Sequence, residues 1–367
     1  MSKTIASQSA GAPFIYDPDY TVAPGESLRS TLQHLGMTQA EFAQRAGLSL
    51  KHVNQIALGV APITHETAFA FEKVTAVPAR VWNGLEANYR DRLVRAEDKN
   101  VLTADTVWLK TLPIPELKRR RLVPDTNDPG VLLGSVCRFF GVANRQAWET
   151  VWRVPLASFR KSKSFKSDPG AAATWLRIGE LKAAEIECKP YDPKSFREVL
   201  QTIRGLTTAL PEEFEPELVR RCSEVGVAVV FVPEVKGSRA SGATRWVTPT
   251  KAVMQLSLRH KSDDHLWFSF FHEAGHLLLH GKKGTFVTEG QAEDLAEEEA
   301  NEFAETYLIP KRYESFLPQL KSSEAIRAFA QELGIAPGIV VGRLQKNDIL
   351  DWNQQNQLKR RFVFIQE

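Results

Sequence analysis

The sequence predicts a multidomain, mainly α-helical protein with one small α+β unit in its second half. Three observations predict it. A helix–glycine–helix segment occupies residues 38–58. A continuous β-branched run, Val227 to Val232, stands among helical patterns. Beyond it, His272-Glu273-Ala274-Gly275-His276 lies in an apolar helix, and a second helix rich in carboxylates follows.

The chain has 367 residues, 43% hydrophobic and 25% charged, which suggests two or three domains of ordinary soluble composition. No apolar run approaches membrane-span length, so no membrane partner is expected. Met1 to Pro24 lacks the apolar core of a signal peptide, and residues 1–20 read as a flexible tail. Cys137, Cys188 and Cys222 are odd in number and do not pair by spacing. Each reads as a small core hydrophobe, which suits a cytoplasmic location. The net charge of +3 is uneven: residues 1–100 balance ten Lys/Arg against ten Asp/Glu, while residues 101–200 carry seventeen against eleven. The basic middle suggests an acidic partner surface.

The first domain is expected over residues 21–95. Leu28, Leu32 and Leu35 form one helix face, closed by Gly36. Thr38 with Glu41 makes a capping box, Gly47 gives the tight turn, and Ser49 caps a second helix, Leu50 to Leu58. Val53 and Ile56 face inward. Helix, glycine turn, helix is a DNA-reading arrangement. Ser49, Lys51, His52, Asn54 and Gln55 supply hydrogen-bonding groups on the second helix. Asn and Gln suit adenine edges, and Lys suits guanine or phosphate. Gln39, opening the first helix, suits a phosphate. The expected ligand is double-stranded DNA, a palindromic operator bound by a homodimer. An interaction bundle is the rival, favoured by the zero net charge of residues 1–100. Helices at about 64–75 and 78–93, with Trp82 and Leu85 inside, finish the bundle.

Residues 96–205 read as a helical connector. Lys118-Arg119-Arg120-Arg121 is a basic run on a solvated face, and Arg160 to Lys166 is a basic loop. Asp128-Pro129 opens a helix ended by Gly141, and Asp168-Pro169 opens a long one through Ala184 with Trp175 and Leu176 inward. Helices at about 193–207 and 213–225 follow.

The α+β unit is expected over residues 206–312. Val227 to Val232 is a buried strand, Gly242 to Val247 a second, and Ala252 to Arg259 a third. The third alternates, with Met254, Leu256 and Leu258 on one face and Gln255, Ser257 and Arg259 on the other, as a half-exposed strand does. In the helix that follows, His272 and His276 are four residues apart and share a face, so both imidazoles can bind one Zn²⁺. Glu273 is placed to take a proton from water there. Leu295, Ala296, Ala300, Phe303, Ala304, Tyr307 and Leu308 recur at helical spacing, and Pro310 ends that helix. Glu297 and Asn301 point from its inner face. Glu297 can complete the metal shell and Asn301 can hold a ligand histidine. On spacing alone, Glu298 and Glu299 compete for the third position. His280, Tyr307 and Arg245 are candidate donors to an oxyanion.

Residues 313–367 are expected to form a helical subdomain, with helix from Ser323 to Phe362. Phe329 to Leu344 repeats the helix–glycine–helix rhythm, but its second helix is nearly all apolar, which favours packing over DNA reading.

These motifs resemble two families. His272-Glu273-x-Gly275-His276-x-x-x-His280, followed by Glu297-x-Glu299-Ala300-Asn301-x-Phe303-Ala304, resembles the ImmA/IrrE zinc metallopeptidases over roughly residues 205–345. The family is similar to thermolysin-like peptidases in using two histidines and a downstream glutamate as zinc ligands. The resemblance implies His272, His276 and Glu297 as ligands, Glu273 as general base and Asn301 behind a ligand histidine; it selects Glu297 over its neighbours. It also implies that the strand over 252–259 is the edge on which a substrate backbone is added, and that the substrate is a regulatory protein such as a repressor. Residues 21–92 are similar to lambda-repressor-like (XRE) helix-turn-helix domains, and more narrowly to HigA-type antitoxins. The combined expectation is a DNA-binding regulator with a zinc peptidase that cuts a partner repressor, a toxin or itself. The rival expectation is an antitoxin or repressor whose zinc fold is a toxin-binding scaffold or an effector sensor.

Overall fold

The structure is a computed structural model describing residues 23–100, 102–153, 168–280 and 291–364. The expected tail over 1–20 and the basic loop Arg160–Lys166 lie outside the described residues. The chain divides into two compact units, Met1–Thr103 and Ala104–Glu367.

In the first unit, α1 (Pro24–His34), α2 (Gln39–Ala46), α3 (Leu50–Ala57), α4 (His65–Thr75) and α5 (Ala79–Asn100) enclose one core. The local signals act as the sequence requires. Thr38 Oγ1 accepts the Glu41 N–H, Gly47 adopts the left-handed conformation at φ 70°, and Ser49 Oγ accepts the His52 N–H. Phe42, Phe71 and Trp82 stack edge to face, with centroids 4.9 and 5.4 Å apart, around buried Leu28, Leu32, Val53 and Ile56. Leu35 departs from the expected stripe. It caps the end of α1 and is 43% exposed.

The second unit is built around a three-stranded sheet: β1 (Val227–Phe231), β2 (Gly242–Thr248) and β3 (Lys251–Leu256). The strand order is β1-β3-β2, with β1 parallel and β2 antiparallel to β3. Side chains alternate between two cores. Val227, Val229, Ala252, Met254 and Leu256 enter one; Ala228, Val230 and Val253 enter the other. The second core is closed by α6 (Pro129–Phe140) and α7 (Pro169–Ala184), which contribute Phe140, Trp175 and Ile178. The first is closed by α8 (Pro193–Gly205), α9 (Pro211–Ser223), α10 (Asp263–Gly275), α11 (Gln291–Leu308), α12 (Ser323–Leu333) and α13 (Pro337–Lys346). The segments expected as a connector and as a C-terminal subdomain therefore both supply core to the sheet.

That placement corrects the reading of the third strand. β3 is central, not half-exposed, and has no free edge. Gln255 is 1% exposed because α7 covers it, and its Nε2 donates to Trp175 O at 2.7 Å. Among the described residues the sheet's edges are β1 and β2. Three smaller differences follow from tertiary contacts. Arg120 is held by Glu116 and donates to Pro233 O and Glu234 O, so it is not part of a solvated face. Leu295 is 59% exposed on α11. Beyond Lys346 the chain is irregular except for one short turn at Asn356–Leu358, although Phe362 reaches the core. The second helix–glycine–helix segment packs as expected, with Phe329, Ala330, Val340, Val341 and Leu344 buried.

Candidate metal centre

α10 is anchored by Leu266, Trp267, Phe270, Phe271 and Ala274, all buried against the sheet and its neighbours. The face left over carries His265, Phe268, His272 and His276, spaced by three or four residues. After Gly275 the helix widens into a single π turn, His276–His280. α11 runs antiparallel to α10: Tyr307 stacks on Phe271 at 5.0 Å, while Glu299 meets His280 at the other end. The helices approach closely at Gly275, where a Cβ would lie 3.2 Å from Ala300 Cα and 3.2 Å from Phe303. The small residues of both motifs set the distance between the helices.

At that distance three donors converge. His272 Nε2 and His276 Nε2 are 3.0 Å apart, and each lies 3.3 Å from a carboxylate oxygen of Glu297. Two ligands of one tetrahedral zinc, bound at about 2.0–2.1 Å, stand roughly 3.3 Å apart. The triangle therefore has the dimensions and the N,N,O chemistry of a zinc site, and it is the donor cluster found among the described residues. The electrostatics agree. Burial works to lower the His272 pKa, but Glu297, Glu273 and Asn301 outweigh it and hold it above the usual value. Burial likewise opposes the charge on Glu297, yet the two imidazoles hold its carboxyl far below the usual range. Both directions mark a site that favours added positive charge.

Each of the two imidazoles has a partner on its other ring nitrogen. Asn301 Oδ1 lies 3.0 Å from His272 Nδ1. His276 Nδ1 lies 3.0 Å from His280 Nδ1, and His280 Nε2 lies 2.9 Å from Glu299 Oε2. If His276 held a metal through Nε2, its Nδ1 would carry the proton and donate to His280, whose Nε2–H would donate to Glu299. His280 is thereby a link in a Glu299–His280–His276 chain rather than an oxyanion donor, and Glu299 makes that contact from the exposed face of α11. Replacing His280 with Ala is expected to weaken zinc binding by about 10–100-fold, and Glu299 with Gln by less. Competition with a colorimetric chelator measures both. Unchanged affinity in His280→Ala would remove the chain from the site.

Glu273 is 7% exposed and sits under β2. Thr244 Oγ1 donates to its Oε2 at 2.7 Å, and a Cβ on Gly242 would lie 2.6 Å from its Oε1. Gly242 and Thr244 share one face of this edge strand. Sequence reasoning missed both, because the signal appears only once β2 is known to be an edge. The other oxyanion candidates are engaged elsewhere. Arg245 binds Glu180 at 2.6 Å on the opposite face of β2, and the Tyr307 hydroxyl donates to Arg197 O at 3.3 Å.

In the first unit, Lys51 and Asn54 are exposed on α3, His52 and Gln55 are half-buried, and Gln39 is half-buried at the start of α2. Ser49 is exposed, and its oxygen serves as the α3 cap.

Comparison with known families matches residues 222–345 to the IrrE N-terminal-like domain, a peptidase M78 family, and residues 28–82 to the helix-turn-helix family. The chain carries an IrrE-like domain behind a helix-turn-helix domain. The matched IrrE-like segment contains all three donors, Glu273 and the whole sheet. No curated protein and no solved structure matches the chain. No helix among the described residues is long and apolar enough to cross a membrane.

Proposed function

We propose that the chain is a DNA-binding regulator whose IrrE-like domain is a zinc-dependent endopeptidase acting on a regulatory protein: a partner repressor, a toxin or a copy of the chain. The observation that carries this reading is the His272–His276–Glu297 triangle with Glu273 beside it under a free strand edge.

When bound, zinc supplies Lewis acidity, which acidifies water and polarises a peptide carbonyl. The chain's own residues supply the rest. The unpaired edge of β2 receives an extended substrate backbone by strand addition. Thr244 holds Glu273 Oε2, which leaves Oε1 to accept a proton from the attacking water. Glu273 then gives that proton to the amine nitrogen as the C–N bond breaks. A second reading, in which the IrrE-like domain senses an effector without cutting, draws on the burial of Glu273 beneath β2.

The DNA half rests on α3. Lys51 and Asn54 project from its exposed face, with Gln55, His52, Ser49 and Gln39 around them. Selection from random duplexes by the full chain is expected to enrich a palindrome. Asn54→Ala is expected to cost about 5–150-fold in affinity and relax one base position, whereas Lys51→Ala weakens all sequences alike. A wild-type chain that enriches no sequence would leave an interaction bundle.

A further inference from the structure

Two turns before the metal ligands, the face of α10 that carries them opens into a cavity of about 340 Å³ between α10, α11 and α13. Its apolar walls are Phe268, Leu308, Ile309, Ile339 and Trp352. Phe268 stands between cavity and metal centre, its ring centroid 6.1 Å from that of His272. Trp352, at the rim, is 65% exposed.

The charged groups at the cavity are paired in opposite signs, although Asp264 Oδ1 and Arg343 Nε are buried without a hydrogen-bond partner. Glu305 is held by Arg343 and Lys346, Arg343 also meets Glu314 at 3.2 Å, and Asp264 meets Lys359 at 2.7 Å. Burial holds His265 below its usual pKa, which keeps it neutral near pH 7. Each of these charges thus stands against an opposite one, and the walls between them are apolar. Ligand pockets span roughly 300–1,000 Å³, so this one suits a single large side chain.

We infer that this cavity receives a large uncharged apolar side chain of the polypeptide substrate and so sets where the chain is cut. The inference rests on the peptidase reading above. The argument is adjacency: His265, Phe268, His272 and His276 lie on one helix face, and Phe268, which lines the cavity, is the ring neighbour of His272. Phe268 and His265 precede His272 by four and seven residues, about 6–10 Å along a helix. An extended peptide covers that in about two or three residues. The favoured side chain is leucine-, methionine- or phenylalanine-like and lies two or three residues from the scissile bond.

The test uses the zinc-loaded full-length chain and a decapeptide library with randomised positions, cut sites being read by mass spectrometry. Wild type is expected to favour a large apolar residue at one fixed position near the cut, by at least about tenfold over alanine. Ile339→Trp, which fills the cavity, should shift that preference to small residues. Trp352→Ala, a surface change, should reduce it while zinc content stays constant. Cuts with no apolar preference, or a preference untouched in both variants, overturn the inference and leave the peptidase reading standing. No cut in any peptide by zinc-loaded protein overturns both.

Discussion

Purified with zinc supplied, the wild-type chain is expected to hold about one zinc, and His276→Ala and Glu297→Ala to hold none at micromolar metal. The expectation follows from the triangle. Three donors stand 3.0–3.3 Å apart on two helices pinned by Gly275 and Ala300, at the spacing zinc requires. Structural zinc sites bind with roughly 10–16 kcal/mol, so each protein ligand carries several kcal/mol, and losing one of three lowers affinity by orders of magnitude. Glu297→Ala is the cleaner variant. Its side chain is 44% exposed, so its loss leaves the core intact. Metal analysis beside far-ultraviolet circular dichroism separates lost ligation from lost fold. pH adds a second check. Protons compete with zinc for His272 Nε2, and the neighbouring carboxylates raise the pKa of that imidazole. Affinity should therefore be full at high pH and fall as pH drops through a value above the 6.5 of an ordinary histidine. A folded wild type that takes up no zinc would sink the peptidase reading and leave the helix-turn-helix domain as the working part of the chain.

The parts of this molecule written locally were legible. Caps at Thr38, Ser49, Asp128 and Asp168, and left-handed glycines at 47, 141 and 334, act within one helical turn, so their sequence signals are complete. The His272–His276 pair is equally local, since four residues fix a helix face. What the sequence hid depends on partners far along the chain. Gln255 and Ser257 made β3 read as half-exposed, because nothing nearby announces that Trp175, eighty residues earlier, supplies the acceptor that lets Gln255 be buried. Misplacing β3 also concealed Gly242 and Thr244, which matter only on a free edge above Glu273. The choice among Glu297, Glu298 and Glu299 could not be made from spacing, since their faces differ only once α10 is known to pack across α11. That packing turns Glu297 to the imidazoles and leaves Glu299 to meet His280 through the π turn.

Glu273→Gln is expected to keep its zinc and lose cleavage by about 10²–10⁴-fold, the contribution of a positioned general base. The substitution is nearly isosteric. Glutamine retains the oxygen that accepts from Thr244 and fits beside Gly242, so neither β2 nor the metal triangle need move. It differs in having no site that can take a proton from water and return it to the leaving amine. Thr244→Val tests the same geometry from the other side. It leaves the carboxylate but frees its orientation, so cleavage should fall less than in Glu273→Gln, and Thr244→Ser should restore it. The two rival readings of the IrrE-like domain part at this point. A sensor needs the metal and the fold but not a base, so Glu273→Gln would leave its DNA response intact. A peptidase needs the base, and any DNA response that depends on cutting a regulatory protein would disappear with Glu273 while zinc content stays at the wild-type level. Full cleavage by Glu273→Gln of a substrate the wild type cuts would show that the base lies elsewhere.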